Sequence, residues 1–515
     1  MKSHRTLLLS FFVILAISCG LSFAAPPNII VIMADDMGFS DLGCYGGEIQ
    51  TPNLDRLAAE GVRFTQFYNC ALCGPSRAAL MTGQHPHQVG ITLWTGLLND
   101  RCVTMFELLN RAGYETCAVG RLDMLTAEDW HEPENLSRHV GRYFGTTGHQ
   151  GPGNSFADVR NTAFYRDGKP YSIPEGGYKT DLITDFTLEF LQQRDKQKPF
   201  LLYMSHYAPH WPLHAKEADI AKYRKLYREL GWDTAREQRL KRLIEKGLLP
   251  ASSQLAARDA KAKPWGEAQN LDWEAERMAV FAAQIDCLDQ SVGRVMEAVR
   301  GTNTLVFFLS DNGASDRSVG QLDKPDRTWR SDGTLTRVGN KPGIMPGPAD
   351  TFVTAGPAWS CLSNTPFRDH KQSNYEGGIA SPLIAWWPGV TKAGQITHEL
   401  SHITDITATV LDVAGQTCPQ KFDNRVIAPP AGKSLRPVLE GKPRAGHESL
   451  CWATSGHRAV RRGPWKIVSP PKGAWELYNL SQDRAETRNL SSEHPERVAA
   501  MAKEFEAWHR PWQPN

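Results

Sequence analysis

The sequence has little net charge, few cysteines and no long hydrophobic run after its first 24 residues. Its 515 residues include 58 basic and 56 acidic side chains, which gives a formal charge of +2. This balance gives no reason to expect nucleic acid or an anionic membrane surface as a partner. No later stretch reaches the roughly 20 apolar residues that a membrane-spanning helix needs. No integral membrane span is therefore predicted.

The ten cysteines are sparse for a chain of this length. No group of His and Cys residues has the spacing of a zinc site. When Cys19 and Cys73 are set aside, eight cysteines remain, an even number that allows disulfides in an oxidising compartment. Cysteines this sparse are more often buried thiols, and the sequence does not define a pairing.

Residues 1–24 have the three parts of an export signal. Lys2 and Arg5 supply the positive charge, residues 7–17 form the apolar centre, and residues 22–24 form a cleavage site with small residues at its ends. The mature protein is therefore predicted to be exported, to a periplasmic or extracellular location. A lipoprotein anchor at Cys19 is the less favoured alternative.

Short apolar runs alternate with helical patterns, which indicates an α/β fold. The candidate strands, all short and apolar, are Asn28–Ala34, Thr116–Gly120, Phe200–His206, Thr304–Ser310 and Pro382–Trp387. The candidate helices, all with apolar residues at helical spacing, are Asn53–Ala59, Phe106–Ala112, Leu182–Gln192, Trp273–Val299 and Ile406–Ala414. Strands this apolar predict a large mixed, mostly parallel sheet that is covered by helices on both faces.

The chain exceeds the length that one hydrophobic core usually organises. Its pattern changes near residue 440 to short strand-like runs followed by a helix-like segment. We expect a large domain over residues 25–440 and a smaller subdomain over 441–515, with a small antiparallel sheet and a terminal helix. Two long insertions interrupt the first domain. Residues 216–272 are charged, and the run Arg236, Arg239, Lys241 and Arg242 is interpreted as a solvated helix face. Residues 314–360 follow an acidic strand end and are expected to lie over a functional site.

Acidic and amide side chains follow two candidate strands directly. Asp35 and Asp36 come after the first strand, and Asp311 and Asn312 come after the fourth. Each group alone is common turn chemistry. Gathered at one edge of the sheet, their oxygens would suit a hard cation such as calcium or magnesium better than zinc.

Residues 73–83 read C-G-P-S-R-A-A-L-M-T-G. This pattern resembles the formylglycine-dependent sulfatases, an arylsulfatase-like family within the alkaline phosphatase superfamily. In that family a separate maturing enzyme oxidises the cysteine to an aldehyde, formylglycine, and the hydrated aldehyde is the nucleophile. The resemblance implies that Cys73 is converted in this way and that residues 25–440 form a sulfatase catalytic domain.

The resemblance also assigns roles to the acidic strand ends. The D-D-x-G at residues 35–38 and the D-N-G at residues 311–313 match the family's metal-binding motifs. Asp35, Asp36, Asp311, Asn312 and one oxygen of converted Cys73 would then hold one Ca²⁺. Arg77, four residues after the cysteine, would hold the sulfate electrostatically at a helix N-terminus.

Two further motifs match the family's substrate-binding residues. The A-P-H-W-P at residues 208–212 implies that His210 donates a proton or hydrogen bond to the leaving oxygen. Lys371, ahead of Y-E-G-G at residues 375–378, would be a second cation on the sulfate or the leaving group.

One segment departs from the family pattern. Many members carry G-K-W-H after the second strand, where this chain reads Gly120-Arg121-Leu122-Asp123. Arg121 keeps the positive charge in a planar fork. Asp123 replaces the histidine that helps to expel sulfate, and a carboxylate repels the anionic sulfate. The candidate substitutes for that histidine are Asp123 itself, His85, His87 and His131.

These features predict an exported enzyme that hydrolyses aryl or carbohydrate sulfate monoesters. Its partners would be a sulfated small molecule or glycan and a formylglycine-generating enzyme. Two alternatives remain open: a phosphonate or phosphodiester hydrolase on the same scaffold, and a non-catalytic relative that binds sulfated glycans, suggested by Arg121 and Asp123. Four tryptophans near the proposed site segments are candidates for stacking on sugar rings, although large aromatic residues more often belong to the core: Trp94, Trp211, Trp329 and Trp359.

Overall fold

The centre of the fold is a large mixed sheet. The computed structural model describes residues 26–93, 96–122, 139–147, 156, 164–320, 330 and 333–510. The first strands along the described chain are β1 (Asn28–Asp35), β2 (Val62–Tyr68), β3 (Glu115–Leu122), β4 (Arg142–Thr147), β5 (Tyr165–Arg166), β6 (Lys169–Pro170), β7 (Phe200–Pro209), β8 (Thr304–Ser310), β9 (Arg337–Val338) and β10 (Thr351–Phe352). The later strands are β11 (Ala380–Trp386), β12 (Gln395–Thr397), β13 (Ser401–His402), β14 (Lys421–Phe422), β15 (Arg425–Val426), β16 (Ser449–Thr454), β17 (His457–Arg462), β18 (Trp465–Ser469) and β19 (Glu476–Asn479).

The main sheet has the order β12-β2-β11-β8-β1-β7-β3-β4-β5-β6, and β13 also pairs with β2. The central strands β8, β1, β7, β3 and β4 are mutually parallel, whereas β11 pairs antiparallel with both β8 and β2. The carboxyl ends of the central strands therefore meet at one edge, where sites in such sheets usually form.

Helices cover both faces of this sheet. Along the described chain they are α1 (Pro52–Glu60), α2 (Cys73–Thr82), α3 (Pro86–Val89), α4 (Met105–Arg111), α5 (Lys179–Gln193), α6 (Glu217–Ile220), α7 (Arg224–Glu245), α8 (Leu271–Ala298), α9 (Gly356–Ser363), α10 (Glu376–Ile379), α11 (Thr404–Val413), α12 (Arg436–Leu439) and α13 (Pro495–His509). Short 3₁₀ turns occur at Gly43–Tyr45 and Trp265–Glu267. None of the helices in the described part of the chain is long and apolar enough to cross a membrane.

Alternate residues of β1 face two separate apolar cores. Ile30 and Ile32 belong to a core that includes residues of α1, α5 and α8. Ile29 and Val31 belong to a second core that includes residues of α2, α4 and α11. This two-sided burial explains why the central strands are apolar throughout rather than alternating.

The smaller C-terminal unit is a four-stranded antiparallel sheet, β16-β17-β18-β19, with α13 packed against it. Met501 and Phe505 of that helix pack on a small core with Val460, Ile467 and Leu477. The predicted fold class is thus confirmed. Each of the ten predicted helices and strands is present, and its ends lie within three residues of the prediction.

The interpretation of the 236–242 run as a solvated face is wrong for two of its members. Lys241 is exposed, but Arg236 and Arg239 are buried. The guanidinium of Arg239 lies 2.7 Å from Asp41 and 2.6 Å from Glu48. Because these carboxylates neutralise it, Arg239 connects helix α7 to the loop after β1 inside the protein.

The cysteines follow the expectation of buried thiols. The eight cysteines other than Cys73 in the described chain carry free thiols. Seven of the eight are buried, and Cys418 is half-buried. Burial raises the pKa of several of these thiols, among them Cys117, which keeps them protonated and unreactive.

Candidate active site

The two acidic strand ends meet at the carboxyl edge of the sheet. Ala34 of β1 stands opposite Ser310 of β8 in the parallel register, so Asp35 and Asp311 leave the sheet side by side. The chain turns at Asp36, whose φ is +64°, and its backbone N–H donates to Oδ1 of Asp311 at 3.2 Å. Asn312 donates from its side-chain amide to Oδ1 of Asp36 at 2.7 Å. The predicted metal-binding residues therefore form one cluster.

Three side-chain oxygens of this cluster lack a hydrogen-bond donor. Oδ1 of Asp35, Oδ2 of Asp36 and Oδ1 of Asn312 are buried and accept no hydrogen bond within the described residues. Buried polar atoms are almost always paired, so three unpaired oxygens in one cluster require a partner. A hard divalent cation with oxygen ligands fits them. Asp35, Asp36 and His210 also bring one ligand atom each to within 4.8 Å of one another.

The carboxylates share a dense set of positive charges. Burial would raise the pKa of Asp35, but Arg121, Arg77, His210 and Lys371 outweigh burial and hold that pKa below its usual range. Burial and the charge of Asp35 raise the pKa of Asp311. Asp35 therefore holds the more stable negative charge.

Cys73 is the first residue of α2, and its side chain is 3% exposed. The loop before it is held by Ser76, whose hydroxyl accepts the N–H of Cys70 at 2.9 Å. The N–H of Gln372 donates to the carbonyl of Ala71 at 2.7 Å, which joins this loop to the segment that carries Lys371. Residue 73 thus lies at the positive end of a helix dipole.

Arg77 lies one turn further along α2 and is buried. Its guanidinium lies 3.1 Å from Asp35 and 2.8 Å from Asp311, and it also donates to the hydroxyl of Ser205. Arg77 therefore fixes both strand-end carboxylates. The sequence analysis missed Ser205, because a serine inside a buried strand carries no pattern that marks it as functional.

Arg121 connects the acidic cluster to residue 73. Its Nη1 lies 2.6 Å from Oδ2 of Asp35, and its Nη2 lies 3.2 Å from the sulfur of Cys73. A planar guanidinium can contact two groups at once, which a lysine ammonium at the same place does less well. The predicted positive charge at this position is thus adjacent to the proposed nucleophile.

His210 follows β7 and points its ring at the cluster. Its Nδ1 lies 2.6 Å from the carbonyl oxygen of Trp211, and a carbonyl only accepts, so Nδ1 carries a hydrogen. Its Nε2 lies 3.6 Å from Oδ2 of Asp36. Burial lowers the pKa of His210, while Asp36 and Asp35 act in the opposite direction.

Lys371 completes the group of cations. Its Nζ donates to Oδ1 of Asp36, and its side chain is 9% exposed. Burial alone would lower the pKa of Lys371, but Asp36, Cys73, Asp35 and Asp311 raise it above its usual range. The ammonium is therefore charged at neutral pH.

Two glycine-containing motifs fit together behind the cluster. A Cβ atom on Gly313 would lie 1.8 Å from the carbonyl oxygen of Gly377, and the N–H of Gly313 donates to the carbonyl of Gly378 at 3.1 Å. The D-N-G and Y-E-G-G motifs are thus in direct backbone contact. This contact places the loop of Asp311 and Asn312 against the segment that carries Lys371.

Some predicted residues lie elsewhere or outside the described chain. His85 and His87 follow α2 and pack against Trp508 of α13, a position that does not favour either ring as the substitute for the missing histidine. The residues outside the described ranges are Asp123, His131, Trp94 and Trp329.

The two described tryptophans differ in exposure. Trp359 is fully buried and donates its ring N–H to the carbonyl of Glu274 at 2.8 Å, so it is a core residue. Trp211 is half-buried, lies next to the ring of His210, and contacts the guanidinium of Arg317. The start of the 314–360 insertion therefore lies beside the site, as predicted.

The arrangement matches a known family. The family model described as Sulfatase matches residues 27–416, and a model described as N-sulphoglucosamine sulphohydrolase, C-terminal, matches residues 367–509. The chain belongs to the sulfatase family. It is 32% identical to an uncharacterised sulfatase of Schizosaccharomyces pombe, over 91% of each chain. This sulfatase is accordingly a sulfuric ester hydrolase.

Two further comparisons extend the similarity. The sulfatase is 29% identical to an arylsulfatase of Klebsiella aerogenes, over 82% of this chain and 94% of the relative. A protein solved in complex with its substrate, D-glucosamine-2-N,6-O-disulfate, superposes with a TM-score of 0.61 at 23% identity, over 95% and 98% of the two chains. The structural similarity shows that the two proteins share the fold.

Proposed function

We propose that this sulfatase hydrolyses aryl or carbohydrate sulfate monoesters through residue 73, after a maturing enzyme has converted Cys73 to formylglycine. The observation that carries the proposal is the position of Cys73 at the N-terminus of α2, 3.2 Å from Arg121 and next to the cluster of unpaired carboxylate and amide oxygens. The hydrated aldehyde would supply one hydroxyl to attack sulfur and a second to expel sulfate.

Asp35, Asp36, Asp311 and Asn312, with an oxygen of converted residue 73, would hold one Ca²⁺. When bound, the cation would lower the pKa of a neighbouring hydroxyl and neutralise sulfate charge. The unpaired oxygens of Asp35, Asp36 and Asn312 support this assignment.

Two arginines near residue 73 would have different roles in binding the sulfate. Arg121 would orient the sulfate, since it contacts both Asp35 and Cys73. Arg77 would add positive potential and keep Asp35 and Asp311 in place.

The leaving oxygen would receive its proton from His210. Because Nδ1 is occupied by the carbonyl of Trp211, the proton must come from Nε2. An anionic sulfate near Nε2 favours the protonated ring. Lys371 would stabilise the charge that develops on the sulfate and the leaving oxygen.

The base that expels sulfate from residue 73 is assigned to Asp123, which follows Arg121 by two residues in the chain. Of the alternatives, His85 and His87 lie against the C-terminal helix instead. His131 and Asp123 are distinguished by substitution, since only the true base would cause the sulfated form of residue 73 to accumulate when it is removed.

The signal-like residues 1–24 support export to the periplasm or the extracellular space. The physiological partners would be a sulfated small molecule or glycan and the maturing enzyme. Residues 25–440 are proposed as the catalytic domain and residues 441–515 as the C-terminal subdomain.

Sulfate release tests the proposal. The mature wild-type protein should release sulfate from an aryl sulfate or a sugar sulfate, and Cys73→Ala should lower the rate by at least about 10³-fold. The matched control is Cys418→Ala, a half-buried cysteine in the described chain, which should leave the rate unchanged. Faster turnover of an aryl phosphonate would favour the phosphonate hydrolase, and binding of a sulfated glycan without any release would favour the non-catalytic alternative.

Metal removal tests the cation separately. A calcium chelator should abolish turnover, and added Ca²⁺ should restore it. Restoration by Zn²⁺ alone would contradict an oxygen-ligand site.

A further inference from the structure

Lys179 is a buried lysine at the active-site edge of the sheet. It is the first residue of α5, which precedes β7 in the chain and packs along β3 and β7. Because the helix returns antiparallel to these strands, its N-terminus lies at their carboxyl ends. The side chain of Lys179 is buried, with the whole residue only 1% exposed.

The ammonium of Lys179 has no anionic partner in the part of the chain that the structure describes. Among the residues that the structure describes, its Nζ takes part in no ion pair or hydrogen bond, and it lies 4.5 Å from the centre of the Tyr207 ring. The other buried lysines differ in this respect. Lys371 binds Asp36, and Lys466 lies within 3.0 Å of both Glu376 and Glu486.

Lys179 belongs to the same side of the site as Arg121. The ammonium of Lys179 lies over the ring of Tyr207. The hydroxyl of Tyr207 hydrogen-bonds to the N–H of Thr146 at 3.1 Å and to its hydroxyl at 2.9 Å. Thr146 stands opposite Arg121 in the β3–β4 register. Burial and the charge of Arg121 lower the pKa of Lys179 to about 7.

An unpaired ammonium at this place is costly in the free protein. Burying a charge without a partner is strongly unfavourable, and the positive end of the α5 dipole adds to the cost. When an anion binds beside Nζ, it pairs with the buried ammonium, and the positive end of the α5 dipole attracts it. Both terms then favour the bound state. The position therefore suits an anionic ligand.

The reacting sulfate does not need Lys179. Arg121 contacts Cys73, and Lys371 and His210 contact Asp36 of the acidic cluster, so the proposed reaction already has its own cationic groups. Lys179 instead lies over the ring of Tyr207 on β7, the strand between β1 and β3, and its Nζ forms no ion pair or hydrogen bond with the described residues around residue 73. Its ligand would be a different group of the same substrate.

We propose that Lys179 binds a second anionic group of the substrate, a sulfate or carboxylate beside the reacting sulfate ester. This inference rests on the proposed sulfatase activity and narrows its substrate class to sulfated compounds that carry a further negative charge.

The test compares matched sugars: a hexosamine monosulfate, the same sugar with a second sulfate, and a disaccharide that adds a uronate carboxylate. The mature enzyme should prefer one of the doubly charged sugars. Lys179→Met should raise KM for that sugar by about 10–100-fold, the range for a lost charge-assisted hydrogen bond, with little change in kcat. Turnover of the monosulfate should stay within about 2-fold, and Lys179→Arg should largely restore KM. The preferred sugar identifies the second group as sulfate or carboxylate.

Lys216→Met is the control. Lys216 is a half-buried lysine that pairs at 2.5 Å with Asp181 in the first turn of the helix of Lys179, and its loss should not change the turnover of any of the sugars. Melting temperatures give a second readout: Lys179→Met should be at least as stable as the wild type, since it removes an unpaired buried charge, whereas a structural role would lower its stability.

Several outcomes would overturn the proposal. These are an equal loss on the monosulfate, no loss on any sugar, and no wild-type preference for a second charge. If the wild-type protein turns over none of the sugars, the proposed function fails, and calorimetric binding of the same sugars to wild-type and Lys179→Met protein decides the role of Lys179 on its own. Equal affinities there would refute it.

Discussion

At the residue scale, the site depends on side chains that each contact two groups. Arg121 is the clearest case, because its guanidinium lies 2.6 Å from Asp35 and 3.2 Å from the sulfur of Cys73. It thereby couples the charge of the acidic cluster to the position of residue 73. A lysine ammonium carries its charge at one point, so at this position it would contact either Asp35 or residue 73 but not both.

Arg121→Lys should therefore lower kcat/KM for a sulfate ester by about 10–100-fold, although the charge is kept. Steady-state kinetics on mature protein measures this change. Arg111→Lys is the control, since Arg111 is exposed and pairs with Asp423 on the surface, and it should change kcat/KM by less than about 2-fold. Unchanged or faster turnover by Arg121→Lys would show that the planar fork has no role.

The sequence predicted the residues whose neighbours in the chain form a motif. Asp36, Asp311 and Lys371 are brought together as expected, because strand order and motif order constrain them jointly. Lys179 and Ser205 belong to no motif that the sequence analysis identified. A lysine at a helix start is usually exposed, and only the tertiary packing shows that this one is buried without a carboxylate.

At the scale of elements, the loop after β8 and helix α10 are joined by a backbone hydrogen bond from Gly313 to Gly378. The backbones of Gly313 and Gly377 approach so closely that no side chain fits at position 313. The position of Asp311 and Asn312 is thus linked to the segment that carries Lys371. This contact explains the glycine of the D-N-G motif, whereas Cβ atoms on Gly377 and Gly378 would collide with the carbonyl oxygens of Asp369 and Ser373.

Gly313→Ala should disrupt the site, because its Cβ would lie 1.8 Å from the carbonyl oxygen of Gly377. A displacement of about 1 Å at a catalytic group costs roughly 10²-fold in rate, so kcat/KM should fall by at least that factor. Calcium affinity, measured by calorimetry, should weaken in parallel. Gly266→Ala is the control, since an added methyl group there meets open space, and a variant Gly313→Ala with wild-type kinetics would contradict the packing.

Strand prediction succeeded where both faces of the strand are buried. β1 and β8 are apolar throughout and were predicted within a residue of their ends. β2 was not predicted, because Arg63 and Gln66 interrupt its apolar run on the less buried face. Its place in the sheet depends on pairing with β11 and β12, which sequence periodicity does not reveal.

At the scale of the whole molecule, the C-terminal sheet is joined to the large domain by a buried ion cluster. Lys466 of β18 is fully buried, with its Nζ 3.0 Å from Glu376 and 2.8 Å from Glu486. Arg484 also lies 2.9 Å from Glu376. The glutamate of the Y-E-G-G motif thus binds the C-terminal subdomain, a role that the motif alone did not indicate.

Lys466→Met should lower the free energy of unfolding by about 3–5 kcal/mol, because it leaves buried carboxylates without their partner. Denaturant unfolding followed by circular dichroism measures the change. Lys503→Met, at an exposed position of α13, should stay within about 0.5 kcal/mol of the wild type. Equal stability of Lys466→Met and the wild type would mean that the ion cluster contributes no net stability.

The chemical state of residue 73 tests the central claim most directly. The mass of the tryptic peptide over residues 64–77, taken from preparations made with and without a formylglycine-generating enzyme, measures the converted fraction of Cys73. The proposed mechanism predicts that sulfate release rises in proportion to that fraction and vanishes when the thiol is intact. Full activity in a preparation whose Cys73 is unmodified would contradict it.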